Sequence, residues 1–410
     1  MIRNLGSLII RFSGTAIQFI SGILVSRFSP DNPEVTAYYF LIVSLIWICI
    51  YGISFGFPNH IFIRTSEHNN DINLFSSLNQ YIQSYSKLLV YTLPLFVAAI
   101  FFVNHYYEIE LYSIILIFIA AFFMANNRFC SESLKGYGLE NIGIFLDRTF
   151  FPFLILIQII LLHKQENLTI ENINLCFFFA ACISFLTSYI FSFLYLKKNG
   201  IKENYKLDFK HLSGQYLIEL GEVLSNRLPI ILLNIIFVSN SNLIAGISIC
   251  FTLVSISGTI NFALYPYFGR KYVRSLKRGN IFLAKKTMIY SQLLSGFIYT
   301  FYFILLFILG EYILKVYNPD YVKYYPYLVF YSSIMIINQF FGISDYLMSL
   351  IRKDSYAILF KVASIIMLFL VAFIANRLDS VHWFLFAGFL SIFVKNLLSY
   401  IFHLKYTIND

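Results

Sequence analysis

Apolar residues in this chain come in long, continuous runs separated by short polar stretches. Crossing the hydrocarbon of a bilayer takes about 20 apolar residues as a helix, or about 10 alternating residues as a barrel strand. The runs are too long and too uniformly apolar for strands, and a helix satisfies its own backbone hydrogen bonds in lipid. They predict transmembrane helices near 8–28, 36–62, 84–104, 110–131, 142–163, 173–196, 214–238, 243–267, 285–309, 324–350, 355–376 and 381–403. The expected fold class is an all-α membrane protein of about twelve transmembrane helices. The second and tenth runs are long enough to tilt or kink, and Pro58, Pro94, Pro152, Pro229 and Pro266 lie near or inside span ends. The first run is too long for the apolar core of a signal peptide and reads as a span that stays.

Composition agrees. Of the 410 residues 59% are hydrophobic and 12% charged, against about 25% charged in a soluble domain, so lipid must be the solvent for much of the surface. Cys49, Cys130, Cys176, Cys182 and Cys250 all fall inside apolar runs and outside any CxxC or Cys/His pattern. They read as small buried hydrophobes, with no disulfide, metal or cofactor expected. Basic residues follow the positive-inside rule if both termini are cytoplasmic. The outer side then holds only Arg27, Lys164, Lys315, Lys323 and Arg377. Arg148, Arg227 and Lys395 lie deep in spans, and the rest of the 30 Lys and Arg fall on the cytoplasmic side or its flanks. That set includes Arg128 and Lys361. The segment 272–286 is basic and interleaved with apolar residues, and is expected to lie helically along the anionic lipids of the inner leaflet.

The most basic, least apolar stretch, 197–210, divides the chain into 1–200 and 211–410, with six spans each. Span four ends in Ser133-Leu134-Lys135-Gly136-Tyr137-Gly138 and span ten in Ser349-Leu350-Ile351-Arg352-Lys353-Asp354. Span two ends in Gly56-Phe57-Pro58 and span eight in Tyr265-Pro266-Tyr267-Phe268-Gly269. Such parallel repeats are typical of transporters, with a substrate site between the halves. Two six-helix lobes around a central cavity are therefore expected. The loops are short, and no GxxxxGK[ST], GxGxxG or HExxH motif occurs, which argues against a primary pump and against a membrane enzyme with an extramembrane catalytic domain.

Charged and polar residues within spans are costly and mark protein interiors or wet cavities. Span one carries a polar stripe with Arg11, Gly14, Thr15, Gln18, Ser21 and Gly22. Span eight carries Ser248, Thr252, Ser255 and Thr259, and span seven carries Glu219, Glu222, Asn226 and Arg227. Span five opens with Asp147-Arg148, span ten carries Asn338, Gln339 and Asp345, and span twelve carries Lys395-Asn396. In a functional reading Arg11, Gln18, Arg148, Arg227, Lys395, Asn396, Ser248, Thr252 and Ser255 line a hydrated cavity and bind an anionic lipid headgroup. Arginine grips phosphate bidentately, and hydroxyls, amides and aromatic faces meet sugars. Asp147, Glu219 and Glu222 are the candidates for ion coupling. Each has a structural alternative. Arg11 can snorkel, Asp147-Arg148 can be an ion pair, the hydroxyl ladder can glue helices, and the two glutamates can simply partner Arg227. Asp345 and Lys361 read as structural.

In these features the chain resembles the multidrug/oligosaccharidyl-lipid/polysaccharide exporter superfamily and, within it, the Wzx-type polysaccharide flippases. The resemblance rests on Asn4-Leu5, Gly14 and Arg27-Phe28, on the stretch from Gly52 to Pro58, and on Leu134-Lys135-Gly136-Tyr137-Gly138. It continues in Ala263-Leu264-Tyr265-Pro266 and in the outer stretch from Gly310 to Tyr321. It implies a flippase, not an enzyme, that moves undecaprenyl-diphosphate-linked oligosaccharide repeat units from the cytoplasmic to the outer leaflet of the bacterial inner membrane by alternating access. The implied coupling ion is H+ or Na+. The implied pathway partners are a polysaccharide polymerase and a chain-length regulator, in O-antigen, lipopolysaccharide or capsule biosynthesis. Nucleic acid is not an expected partner. The acidic cation site usual in the first helix of the drug-antiporter branch is missing here, where Arg11 and Gln18 stand instead. Two alternatives stay open: a polymerase- or ligase-type membrane enzyme, although such enzymes resemble each other in a large outer loop and every outer loop expected here is short, and a cation-coupled drug exporter.

Overall fold

A computed structural model describes residues 2–67, 73–84, 111–165, 168–198, 209–350 and 353–409. Among them ten helices are long and apolar enough to cross a membrane, and the chain is a multi-pass membrane protein with no strand among the described residues. The span expected near 84–104 lies almost wholly outside the described residues. The span near 214–238 is a helix of 28 residues, Phe209–Ile236, that differs from the ten in carrying Glu219, Glu222 and Arg227.

The chain divides into two compact units, Met1–Leu220 and Gly221–Asp410. The first contains α1 (Ile2–Phe28), α2 (Pro33–Ser54), α3 (Phe57–Glu67), α4 (Leu111–Gly136), α5 (Glu140–Lys164), α6 (Ile170–Tyr195) and the start of α7 (Phe209–Ile236). α4 is its hub, packed on α6, α3 and α2, while α1 lies along α5. Small residues permit the close approach that helices need in lipid, where no hydrophobic effect drives association. Ala180, Ser184, Ser188 and Ser192 form a buried stripe at four-residue spacing on α6. α6 packs on α4, where Ser188 donates to the Asn127 side chain and Ser192 to the Cys130 carbonyl.

The second unit contains the rest of α7, then α8 (Ser241–Val254), α9 (Ile256–Lys277), α10 (Ile281–Tyr317), α11 (Tyr325–Gln339), α12 (Ile343–Leu350), α13 (Asp354–Leu378) and α14 (Val381–Asn409). α13 and α14 form its most extensive pair. Ser391, Lys395, Ser399 and His403 of α14 are all buried at four-residue spacing. Lipid faces the opposite sides. On α10, Phe297, Phe301, Ile304, Ile308 and Tyr312 are exposed at steps of three and four, while Ser291, Gln292, Ser295 and Gly310 are buried. This polarity is inside-out relative to a water-soluble helix.

Three expected spans are broken. Span two ends at Ser54, and α3 restarts after Phe55 (φ 47°) and Gly56 (φ 73°). Span eight breaks at Ser255 and span ten at 340–342. The basic segment 272–286 is likewise not one helix. It is the end of α9 and the start of α10, joined by a turn in which Gly279 takes φ 68° and the Asn280 side chain caps α10 by accepting from Leu283 N at 2.9 Å.

At Gly56 two costs coincide. The left-handed backbone costs an L-residue about 1–2 kcal/mol, and an added Cβ would sit 2.8 Å from the Leu212 carbonyl oxygen. Gly56→Ala is expected to lower stability by about 2 kcal/mol or more, measurable as a reduced melting temperature in detergent.

Candidate functional site: two buried charge clusters

In the first unit, α5 is distorted where its charges lie. Phe145–Phe150 winds as a π-helix. Pro152, four residues after Arg148, has no N–H to give the Arg148 carbonyl, and its ring crowds that oxygen. The turn widens, as π-turns often do at functional positions. The Arg148 carbonyl is met by Gly14 of α1. An added Cβ there would overlap the Arg148 oxygen and sit 2.9 Å from its carbonyl carbon. Thr149 Oγ1 donates to the Ile10 carbonyl at 2.8 Å, tying the same two helices.

The widened turn carries Asp147 and Arg148. Asp147 accepts from Lys135 Nζ at 3.0 Å and pairs with Arg148 Nε at 3.2 Å. Lys135 also donates to Glu132 at 2.8 Å. Arg148 Nη2 lies 3.5 Å from the Tyr51 hydroxyl, and its Cζ is 5.5 Å from the Trp47 ring. Arg128, which charge counting assigned to the cytoplasmic flank, is 4% exposed. Its Cζ lies 3.9 Å from the Tyr51 ring centre, and its Nη2 is 3.8 Å from Glu219 Oε2. The other Glu219 oxygen accepts from Asn59, and Asn59 also donates to Gln215 at 3.2 Å. Arg11 and Gln18 are half-buried along α1.

In the second unit four charges from α7, α12, α13 and α14 meet. Lys361 Nζ donates to Asp345 at 2.6 Å and to Glu222 at 2.8 Å. Lys395, 2% exposed, donates to the same Glu222 oxygen and lies 3.8 Å from Asp345. Asn396 donates to Asn338 at 2.8 Å. Lys361, which the sequence reads as structural, is a core member of the group. Its stem packs on Gly221, where an added Cβ would fall 2.9 Å from Cδ. Two ammoniums and two carboxylates satisfy each other's charge, the arrangement under which buried ions are tolerated. Lys395 is thus held by carboxylates of its own unit.

Two of the remaining sequence candidates make local bonds. Thr252 donates to the Ser248 carbonyl at 2.8 Å and Ser255 to the Thr252 carbonyl at 2.6 Å. Such back-bonding bends helices, and here it accompanies the break at Ser255. Arg227 is half-buried on α7. Glu219 and Glu222, three residues apart on one helix, join different groups, Glu219 with Arg128 and Glu222 with the two lysines.

The two units use matching positions. The end of span four bonds to span five through Lys135–Asp147, and the end of span ten bonds to span eleven through Asp345–Lys361, with the signs exchanged. Span four bonds to span six through Asn127 and Ser188, and span ten to span twelve through Asn338 and Asn396.

No protein-family description matches the chain, and no curated protein matches its sequence. Solved structures do match its fold. An inward-facing multidrug resistance MATE family transporter of the MOP superfamily aligns with TM-score 0.69 and 12% identity, covering 98% of this chain and 97% of that one. MATE in the straight conformation aligns with TM-score 0.67 and 12% identity over 99% and 94%. A MOP superfamily transporter from Pyrococcus furiosus, whose reverse polarity of the binding pocket suggests a different function, aligns with TM-score 0.60 and 12% identity over 99% and 94%. The chain thus has the all-helical, two-lobed MATE-transporter fold.

Proposed function

We propose that this protein is a secondary transporter of the bacterial inner membrane that works by alternating access, with both termini cytoplasmic. The likeness in fold along essentially the whole chain, 97% of the matched transporter included, carries this reading. It supports a transporter over a polymerase or ligase. The named multidrug transporters favour the cation-coupled exporter among the substrate classes expected from sequence. The test is resistance. In a strain stripped of its own exporters, expression of this protein should raise survival on cationic dyes. Glu219→Gln or Glu222→Gln should abolish the gain if either carboxylate carries the coupling ion. Unchanged survival across a panel of dyes would remove this substrate class.

A second reading, flipping of an undecaprenyl-diphosphate-linked repeat unit, has a local observation in its favour. Asp147, Glu219, Glu222 and Asp345 each have a cation within 4 Å, whereas a site for an organic cation wants a carboxylate without one. Arg148 meanwhile has a side chain 39% exposed beside two aromatic rings. Deleting the gene should then leave lipid-linked repeat units on the inner face, and their appearance outside at the normal rate would exclude flipping.

A further inference from the structure

We propose that the second unit contains a gate: α9, the first turns of α10 and α12 move as one body about a hinge layer, and His403 of α14 latches that body in place. Three helical runs are weakened in this layer. α8 gives way to α9 at Ser255, and α11 to α12 at 340–342. Both breaks are bridged by bonds between residues three apart. Gly258 N donates to the Ser255 carbonyl, and Phe341 N, Gly342 N and Ser344 N donate to the carbonyls of Asn338, Gln339 and Phe341. Such tight turns inside a long helical run mark hinges. α10 continues between the breaks but carries Ser295-Gly296, a pair of the kind at which helices kink. The Phe340 ring, from the second break, stands where a Cβ on Gly296 would be. Tyr302 of α10 serves the first break by donating to the Leu253 carbonyl at 2.9 Å.

The bonds across the layer are exchangeable. Ser295 Oγ lies 2.6 Å from Asn261 Oδ1 of α9 and 3.2 Å from Gln339 Oε1 of α11. A hydroxyl has one proton, so it donates to one amide oxygen at a time. Gln339 Nε2 is buried without a hydrogen-bond partner among the described residues. Buried polar groups are normally all satisfied, and a set that leaves one donor idle and shares another suits a layer that rearranges.

Beyond the layer the moving body has its own core. Tyr272 of α9, Ala284 and Met288 of α10, and Ile343 and Leu347 of α12 form one buried cluster, against which Tyr400 and Leu404 of α14 pack. Gln292 of α10 donates to the Ser344 hydroxyl of α12, and the rings of Tyr265 and Tyr346 lie 5.7 Å apart. Polar ties to α13 and α14 come from Asp345, through Lys361 and Lys395, and from His403, which is fully buried. His403 Nε2 is 3.1 Å from the Ser344 carbonyl oxygen, which only accepts, so Nε2 carries a proton. Nδ1 is then bare and accepts from the Tyr272 hydroxyl at 2.7 Å. One imidazole thus holds α9 and α12 at once. The gate gives the second unit a motion of its own within the alternating access proposed above, and it rests on that reading only for its purpose. The motion is measured without substrate, so either can fail while the other stands.

The test is pulsed electron–electron resonance on the full chain in nanodiscs, with the five native cysteines replaced by alanine and nitroxide pairs attached at exposed positions. Arg274→Cys with Leu359→Cys, and Lys286→Cys with Leu359→Cys, report the moving body against α13. Phe307→Cys with Phe369→Cys reports α10 beyond the hinge against the same helix. From Ser255 to Arg274 is about 28 Å of helix, and from Gly296 to Lys286 about 15 Å. A swing of about 10° therefore moves the two labels by about 5 Å and about 2.5 Å. His403→Leu keeps the bulk and loses both bonds. It should shift the first two distances in about a two-to-one ratio and leave the third unchanged. Tyr272→Phe removes one bond without changing shape. It should populate the shifted distances to a smaller extent, and it keeps the test valid if His403→Leu fails to fold. The proposal is overturned if both variants give wild-type distances, if Arg274 shifts while Lys286 stays, or if the Phe307–Phe369 distance changes as much as the other two.

Discussion

Lys361→Met is expected to lower the unfolding free energy of the purified protein by about 3–5 kcal/mol, the usual cost of removing one partner from a buried ion group. Lys361 is the one residue bonded at short range to both carboxylates. Without it Asp345 keeps only Lys395 at 3.8 Å, and one Asp345 oxygen is already without a donor. The uncompensated negative charge then sits among buried groups of four helices. Unfolding followed by SDS titration or by heat in micelles reads the loss. The double variant Lys361→Met with Asp345→Asn removes one charge of each sign and should recover more than half of it, because net neutrality returns and only hydrogen bonds are lost. Lys361→Arg should fall between, since Gly221 presses on the stem where a guanidinium would need room. Wild-type stability in Lys361→Met would mean that water reaches the group.

Gly14→Ala should cost about 1–3 kcal/mol through overpacking, and should weaken whatever ligand Arg148 holds. The atom that the new Cβ would strike is the Arg148 carbonyl oxygen, which is backbone and cannot swing aside as a side chain would. Relief requires α1 and the π-turn to separate, and that turn sets the direction of the Arg148 guanidinium. Gly52→Ala and Gly258→Ala are matched controls, since nothing lies within 4 Å of a Cβ at either position. In those helical settings alanine should be neutral or stabilising by roughly 0.5–1 kcal/mol. Melting curves of the three variants separate a general intolerance of glycine replacement from the specific clash.

Length and hydropathy were enough to find the all-helical class and most spans, because a bilayer demands a long apolar helix whatever the tertiary structure. The breaks at 55–56, 255 and 340–342 are less legible. Phe55, an aromatic residue in the left-handed region, carries no local signal, although Gly56 beside it does. The buried partners of Arg128 and Lys361 were not legible for one reason. Charge counting treats every basic residue near a span end as facing the cytoplasm, and it cannot see a carboxylate supplied by a distant helix. A usable hint was present in Asn126-Asn127-Arg128, three polar residues closing the apolar part of one run. The pairing of Glu219 and Glu222 with different groups was out of reach, since a spacing of three puts both on one helical face and tertiary packing alone decides which neighbour each meets.

The reversed polarity of Lys135–Asp147 and Asp345–Lys361 has an evolutionary reading. If the halves descend from one ancestral segment, no single substitution converts one pair into the other, because changing either partner alone to the opposite charge places two like charges side by side in a buried site. The path must pass through an uncharged pair or through compensating changes elsewhere, and afterwards the halves are no longer exchangeable. Grafting the end of span four in place of the end of span ten would set Lys135 against Lys361, so homologous recombination between the halves would yield products that fail to assemble. On that descent, exchanged polarity locks the two segments into separate histories.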